Sequence, residues 1–251
     1  VALGRTINAA ALLAATLKPE SSQSILLKFS GTGPIREIHV QGDACGSIRG
    51  YTANPMIDVT EDIGSISFSR SIGAGMMTVV KYTGPKEPYS SITPLMNGDV
   101  AADLAYYLTS SEQVPSAVII GLNIDRNGII TSSGGILIQT FPDTEPQSIE
   151  LVESNISGMK VNLGDSLNNG RNIYSIVEEI FGNNKTEILG TTPLHHKCRC
   201  SHDMLLGLIK TFDKNDIRDI IEKDNGAVIT CTFCTKEYNF SREELEKLLL
   251  I

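Results

Sequence analysis

Four of the five cysteines in this 251-residue chain fall in its last third as two close pairs, Cys198/Cys200 and Cys231/Cys234, thirty residues apart. No other feature constrains the fold as much. A C-x-C and a C-x-x-C can supply the four thiolate corners of a tetrahedral zinc site. The same sulfurs can instead close two sequence-local disulfides, so the chain carries a candidate redox switch. Residues 191–251 make a unit of about sixty residues, and a unit that small rarely buries enough surface to be stable without a metal or a covalent staple. A structural zinc contributes roughly 10–16 kcal/mol in small zinc peptides, enough to decide whether such a unit folds. One Zn2+ per chain, on Cys198, Cys200, Cys231 and Cys234, is therefore expected.

Zinc held by all four sulfurs would tie residue 198 to residue 234, whereas disulfides within each pair would close rings of only a few residues. Short loops remove little unfolded-state entropy, and such bonds would no longer join the two halves of the unit. Oxidation should eject the metal and leave a unit too small to stay folded. A plain structural zinc knuckle is the alternative reading of the same spacing. Lys197, Arg199 and Lys236 flank the pairs and either favour thiolates or are solvated surface charges. His195, His196 and His202 lie near the first pair, but four cysteines complete the shell and none is required as a ligand. Cys45, alone in a strand-like stretch, is expected to be packed and inert.

Composition excludes several function classes. A net charge of −8 disfavours broad binding to phosphate backbones, which depends on clustered Lys and Arg. No run approaches the eighteen or more apolar residues of a membrane span, and Ala9–Ala15 reads as a buried helix. Cysteines clustered at metal-ligand spacing in a chain of this length point to a reducing compartment, and hence to the cytoplasm. The chain opens on Val1-Ala2-Leu3-Gly4, which reads as helix interior, so a trimmed N-terminus is expected. Gly31-x-Gly33 lacks the third glycine of a dinucleotide loop, with Arg36 in its place, and reads as a turn; Gly73-x-Gly75 is no stronger. Ser110-Ser111-Glu112-Gln113 has no base arranged near it and reads as structural.

The order of elements predicts an α+β protein in three parts. Residues 1–142 form an α+β core domain: a helix over 1–17, strands at 24–29, 35–40, 47–53 and 76–82, a helix at 100–108 capped by Asp99, and strands at 117–122 and 128–141. Residues 143–190 form a helical linker with eight Asp/Glu against three Lys/Arg. Its second helix sets Ile173, Ile176, Val177, Ile180 and Phe181 on one apolar stripe. Such a short helix must dock on something; it is either an ordinary packed connector or a segment whose docking is conditional. Residues 191–251 form the small zinc-binding domain, with helices near 202–211 and 214–223, a strand at 227–230, and a last helix opened by the capping box Ser241/Glu244.

Beyond spacing, the chain resembles the redox-regulated holdase chaperones of the 33-kDa heat-shock protein family. The likeness is carried by Gly31-Thr-Gly-Pro34, Arg49-Gly-Tyr-Thr-Ala-Asn-Pro55, Ser111-Glu-Gln-Val-Pro115 and Gly134-Gly135 followed by Gln139. It extends to Cys198-Arg-Cys200-Ser201, and to Cys231-Thr-Phe-Cys234 with Tyr238 and Phe240 after it. The resemblance implies an ATP-independent chaperone, not an enzyme, whose reduced form carries zinc on Cys198, Cys200, Cys231 and Cys234 and is inactive. It implies that peroxide or hypochlorite forms disulfides within each pair and releases zinc, that the zinc domain and linker unfold, and that the protein then dimerises and holds unfolded clients. The stripe of Ile173, Ile176, Val177, Ile180 and Phe181 would offer client-binding surface. Family members carry an N-terminal strand and helix segment before the position matching Val1, where this sequence begins. Two other classes compete: a dithiol–disulfide oxidoreductase using Cys231/Cys234, and a zinc-knuckle nucleic-acid binder.

Overall fold

A computed structural model describes residues 1–57, 67–84, 87–96, 98–182, 184 and 186–250. The chain divides into two compact units, Val1–His196 and Lys197–Ile251. Residues 143–190, read from sequence as a separate linker, lie within the first unit.

The first unit is built on a six-stranded sheet. Strands β1 (Ser24–Gly31), β2 (Glu37–Asp43), β3 (Ser47–Thr52), β4 (Gly75–Tyr82) and β5 (Tyr89–Pro94) pair antiparallel. A two-residue strand, His195–His196, adds parallel to β3, giving the order β5-β4-β1-β2-β3-β8 with that short strand as β8. Alternation places Ile25, Leu27, Phe29, Ile38, Val40, Met77 and Val79 on one face, all fully buried. Helix α1 (Ala2–Ala15) packs on that face with Ala9, Ala10 and Leu13. Small residues let it approach the sheet closely: a Cβ on Gly42 would lie 3.2 Å from Ala14 Cβ. The opposite face is polar, with Glu37 bridging Lys28 and His39 at 2.8 Å each.

The Gly31-x-Gly33 turn serves packing rather than phosphate binding. Gly33 N–H donates to Ile72 O at 2.7 Å, at the end of α2 (Phe68–Ile72), and a Cβ on Gly31 would lie 2.0 Å from that same oxygen. The strand expected from residue 35 begins two residues later, because Arg36 takes a left-handed φ of 67°. Helix α2 and strand β5 have no counterpart in the sequence reading, since both are short and Ser-rich with weak apolar periodicity. Cys45 corrects its expectation: it sits exposed in the turn between β2 and β3, where Asp43 Oδ1 accepts from the N–H groups of Cys45 and Ser47 at 3.0 Å.

Helix α3 (Val100–Ser110) starts at Asp99, whose carboxylate accepts from Ala101 N–H as its spacing predicted. It leads into an antiparallel pair, β6 (Ser116–Ile124) and β7 (Ile130–Gln139). Glu112 accepts from the Tyr107 hydroxyl and from Lys81 Nζ, and Ser111 meets Ser91. Residues 110–113 are thus a structural clasp.

Three helices, not two, follow: α4 (Pro146–Ser157), α5 (Leu163–Asn168) and α6 (Ile173–Phe181). Helix α5 lies against the β6–β7 pair so closely that a Cβ on Gly121 would meet Gly164 N at 2.2 Å. Ile176 and Ile180 are 1% exposed and pack with Ile136 and Leu163, with Ile173, Val177 and Phe181 partly buried around them. The apolar stripe is covered in this structure. Helix α4 buries no residue fully and is joined to α6 by Asn155 Nδ2 donating to Ile180 O at 2.9 Å.

Gly31→Ala should destabilise the first unit by about 3 kcal/mol, because the new methyl has only backbone to displace; denaturant midpoints with and without the substitution measure this. Lys28, then His39, hold the Glu37 carboxyl down near 2. A depressed carboxylate stabilises the fold above its ordinary pKa and loses that contribution as pH falls toward 2. Glu37→Gln should therefore lower the melting temperature slightly near neutrality and flatten its pH dependence between about pH 4.5 and 2.

Candidate metal centre

The second unit has a core of seven buried residues: Leu205, Ile209, Ile217, Ile221, Tyr238, Phe240 and Leu245. Its helices are started by side chains the sequence supplies. Ser201 Oγ accepts from Met204 N–H at the head of α7 (His202–Ile209), and Asp213 accepts from Asn215 N–H at the head of α8 (Lys214–Asp224). The capping box of Ser241 and Glu244 opens α9 (Arg242–Leu249), whose Leu245 is fully buried with Leu248 and Leu249 beside it. Strand β9 (Gly226–Thr230) pairs with β10 (Glu237–Ser241), which sequence reading missed because it is five residues with two apolar ones, Tyr238 and Phe240.

The C-x-x-C occupies the turn between those two strands. Cys231 N–H donates to Lys236 O at 2.9 Å and Thr235 N–H returns to Cys231 O at 2.7 Å, with Thr235 at φ 58°. This tight knuckle points Cys231 and Cys234 at Cys198 and Cys200, which immediately precede α7. Cys198 Sγ lies 3.6 Å from Cys231 Sγ, and Cys200 Sγ 3.4 Å from Cys234 Sγ. All four sulfurs fall within 4.8 Å of one another and none is in a disulfide. Sulfurs at the corners of a tetrahedron around zinc, with Zn–S near 2.3 Å, stand about 3.8 Å apart. The donor set and spacing fit one divalent ion.

Electrostatics agree with that fit. Lys236 N–H bonds Cys234 and favours its thiolate, but contacts with Cys200, desolvation and the other two sulfurs outweigh it and push the thiol up to about 12. Four crowded sulfurs cannot ionise together unaided; a coordinated cation reverses that penalty. The Tyr238 hydroxyl stands 3.1 Å from Cys200 O and 3.2 Å from Cys200 Sγ. Its bond to that sulfur, with desolvation, pushes its own pKa up to about 12. Tyr238 is the supporting donor of the centre, a role that residue spacing does not reveal. The Lys236 ammonium lies 5.1 Å over the Tyr238 ring rather than on a sulfur.

The three histidines go elsewhere. His202 stacks on Phe240 at 4.5 Å with Nε2 3.3 Å from Asn239 O, while His195 and His196 form β8 on the core sheet. Among the described residues, the donors close enough to share one ion are the four cysteines. The stripe residues Ile173, Ile176, Val177, Ile180 and Phe181 belong to the first unit.

Fold and site together define an α+β protein ending in a small tetrathiolate unit. A family model described as Hsp33 protein matches residues 1–241. The 33 kDa chaperonin of Synechococcus elongatus is 38% identical over 252 residues, spanning 99% of this chain and 84% of that protein. That of Syntrophotalea carbinolica is 36% identical over 250 residues, covering 99% and 86%. The crystal structure of the Thermotoga maritima 33 kDa chaperonin superposes with a TM-score of 0.88 at 33% identity, over 100% of this chain and 84% of that one. The chain belongs to the Hsp33 family of heat-shock chaperones.

Removing the supporting donor with Tyr238→Phe should weaken metal binding about 10-fold or more, leaving the four sulfurs in place. Competition with a chromogenic chelator, read against the unsubstituted chain, measures the change.

Proposed function

We propose that this chaperone is a holdase switched by thiol oxidation, with Cys198, Cys200, Cys231 and Cys234 as both metal ligands and redox-switch residues. The observation that supports this best is the convergence of sulfurs from two segments thirty residues apart in a unit with seven buried core residues. Zinc, when bound, would supply a cross-link between the Cys198/Cys200 and Cys231/Cys234 segments and hold the thiolates unprotonated. Tyr238 orients Cys200, and the Lys236 backbone orients Cys234.

Each oxidation converts two thiols into one S–S bond. Two electrons pass from the sulfurs to peroxide, whose O–O bond breaks, and two protons, drawn from solvent where zinc has held the sulfurs as thiolates, complete two waters. The sulfur contacts of 3.6 and 3.4 Å run between the pairs, so disulfides within Cys198/Cys200 and Cys231/Cys234 form as the folded arrangement is abandoned. Sulfurs consumed in this way no longer ligate, and a seven-residue core cannot offset the chain entropy of some fifty residues. Loss of this unit then destabilises the segment 143–190. Undocking of α6 would turn Ile173, Ile176, Val177, Ile180 and Phe181 from packing residues into client surface, and would leave Ile136 and Leu163 uncovered. In this reading the partners are unfolded or oxidatively damaged proteins and, on activation, a second copy of the chain; the compartment is the cytoplasm.

An oxidoreductase reading of Cys231/Cys234 is less well supported. Cys231 and Cys234 sit in the turn of the β9–β10 hairpin, not in the βαβ setting of a thioredoxin-like redox motif. A net charge of −8 likewise speaks against a nucleic-acid partner.

Peroxide treatment under mildly unfolding conditions should release one zinc per chain, reduce far-UV helix signal, and produce protein that suppresses light scattering by an aggregating client. The reduced, zinc-loaded protein should not suppress it. Equal protection by the two forms, or metal loss without loss of helix, would overturn the switch.

A further inference from the structure

A left-handed backbone crowds Cβ against the neighbouring carbonyl. Glycine escapes that crowding and asparagine tolerates it, whereas a side chain branched at Cβ meets it in full. Among the described residues, the non-glycine positions with positive φ are Glu20, Arg36, Gln113, Asn225 and Thr235. Thr235, at φ 58°, is the β-branched one of these, and it directly follows the last cysteine of the metal centre. The second unit fills its other such position, at the end of α8, with Asn225, a residue type that suits it.

The left-handed turn is needed where it stands. It carries the chain back over the knuckle, so that Lys236 N–H reaches the Cys234 sulfur and Lys236 O accepts from Cys231 N–H at 2.9 Å. Thr235 N–H donates to Cys231 O at 2.7 Å within the same turn. Its side chain is exposed, so burial offsets little of the strain, and its hydroxyl donates to Cys234 O at 2.7 Å. A strained residue persists where its surroundings over-determine it, and such residues gather at switch regions. Here the surroundings are the hairpin bonds and, with a cation bound, the hold of that cation on Cys231 and Cys234.

We propose that Thr235 loosens this knuckle: its strained conformation weakens the grip of Cys231 and Cys234 on zinc and eases release of the metal. The inference rests on the metal-centre reading and adds to it a residue that sets how firmly the centre is closed. The strain is present in the closed knuckle and is relieved once the metal leaves and residue 235 returns to an ordinary φ. It therefore favours the open state, by about tenfold for one residue of this kind. Thr235 supplies no ligand atom; it acts through the placement of Cys234 and is a positioning residue.

The test uses the full reduced, zinc-loaded chain and three substitutions at this exposed position. Thr235→Gly and Thr235→Asn accept the left-handed turn, whereas Thr235→Val keeps the branch at Cβ and loses the hydroxyl. In competition with a chromogenic chelator, the Gly and Asn variants should hold zinc about tenfold more tightly than the unsubstituted chain. The Val variant should hold it no more tightly than the unsubstituted chain. Glycine also raises the entropy of the open chain, which acts against the expected gain, so tightening in both variants reports relief of strain. A purely structural role for the threonine predicts loosening in all three. Failure of either the Gly or the Asn variant to tighten, or equal tightening by the Val variant, would overturn the proposal. Aggregation suppression by the oxidised chains is measured in parallel. Tightening without suppression keeps the strained knuckle and sinks the chaperone switch, zinc held equally by all four chains sinks the knuckle alone, and chains that bind no zinc sink the metal reading and this proposal with it.

Discussion

The convergence of four cysteine sulfurs to within 4.8 Å of one another is the constraint around which the second unit is built. The second unit assembles three helices and a two-stranded sheet around seven buried side chains with partly buried ones beside them, a small core for some fifty residues. What compensates is a contact between segments that lie more than thirty residues apart in sequence. Such a contact has a double character. A metal bridge there would stabilise strongly while the sulfurs are reduced, and a chemical change at the same atoms would remove it. A hydrophobic core of ordinary size would be more robust and could not be switched.

The first unit shows the complementary strategy. Its sheet buries a full face of aliphatic and aromatic residues under α1, and its tight approaches are made by backbone, at Gly31 against Ile72 and at Gly121 against Gly164. Between these two regimes lie α4 to α6, whose hold on the β6–β7 pair is a compact cluster around Ile136, Leu163, Ile176 and Ile180. Four buried residues anchor that cluster, with the partly buried ones of α4, α5 and α6 packed around them. Local stability graded in this way is how a protein confines a transition to one part of its fold.

Much of this was legible in residue order because the signals were local. Cysteine spacing marked the four sulfurs that converge, Ser241 with Glu244 marked a helix start, Asp99 marked another, and alternation marked β1 and β4. What escaped was non-local or weakly patterned. Strand β5 is mostly polar, β10 has only two apolar residues, and β8 is a pair of histidines that is a strand solely because β3 offers a free edge. Cys45 was misread because a small apolar residue between strands resembles a packed one, and nothing in its neighbours discloses that the turn carries it outward. The supporting hydroxyl of Tyr238 is likewise a product of chain segments meeting.

By itself, then, the order of residues determined the redox chemistry available to this protein: four thiols at ligand spacing in a tail too short to fold without them, after an α+β core. That followed from valence and from chain length, which need no coordinates. Tertiary structure alone decided which surfaces that chemistry controls. Whether the α6 stripe is covered and which donor steadies Cys200 depend on contacts between residues far apart in sequence. No local pattern encodes such contacts, since they exist only once the chain has closed on itself.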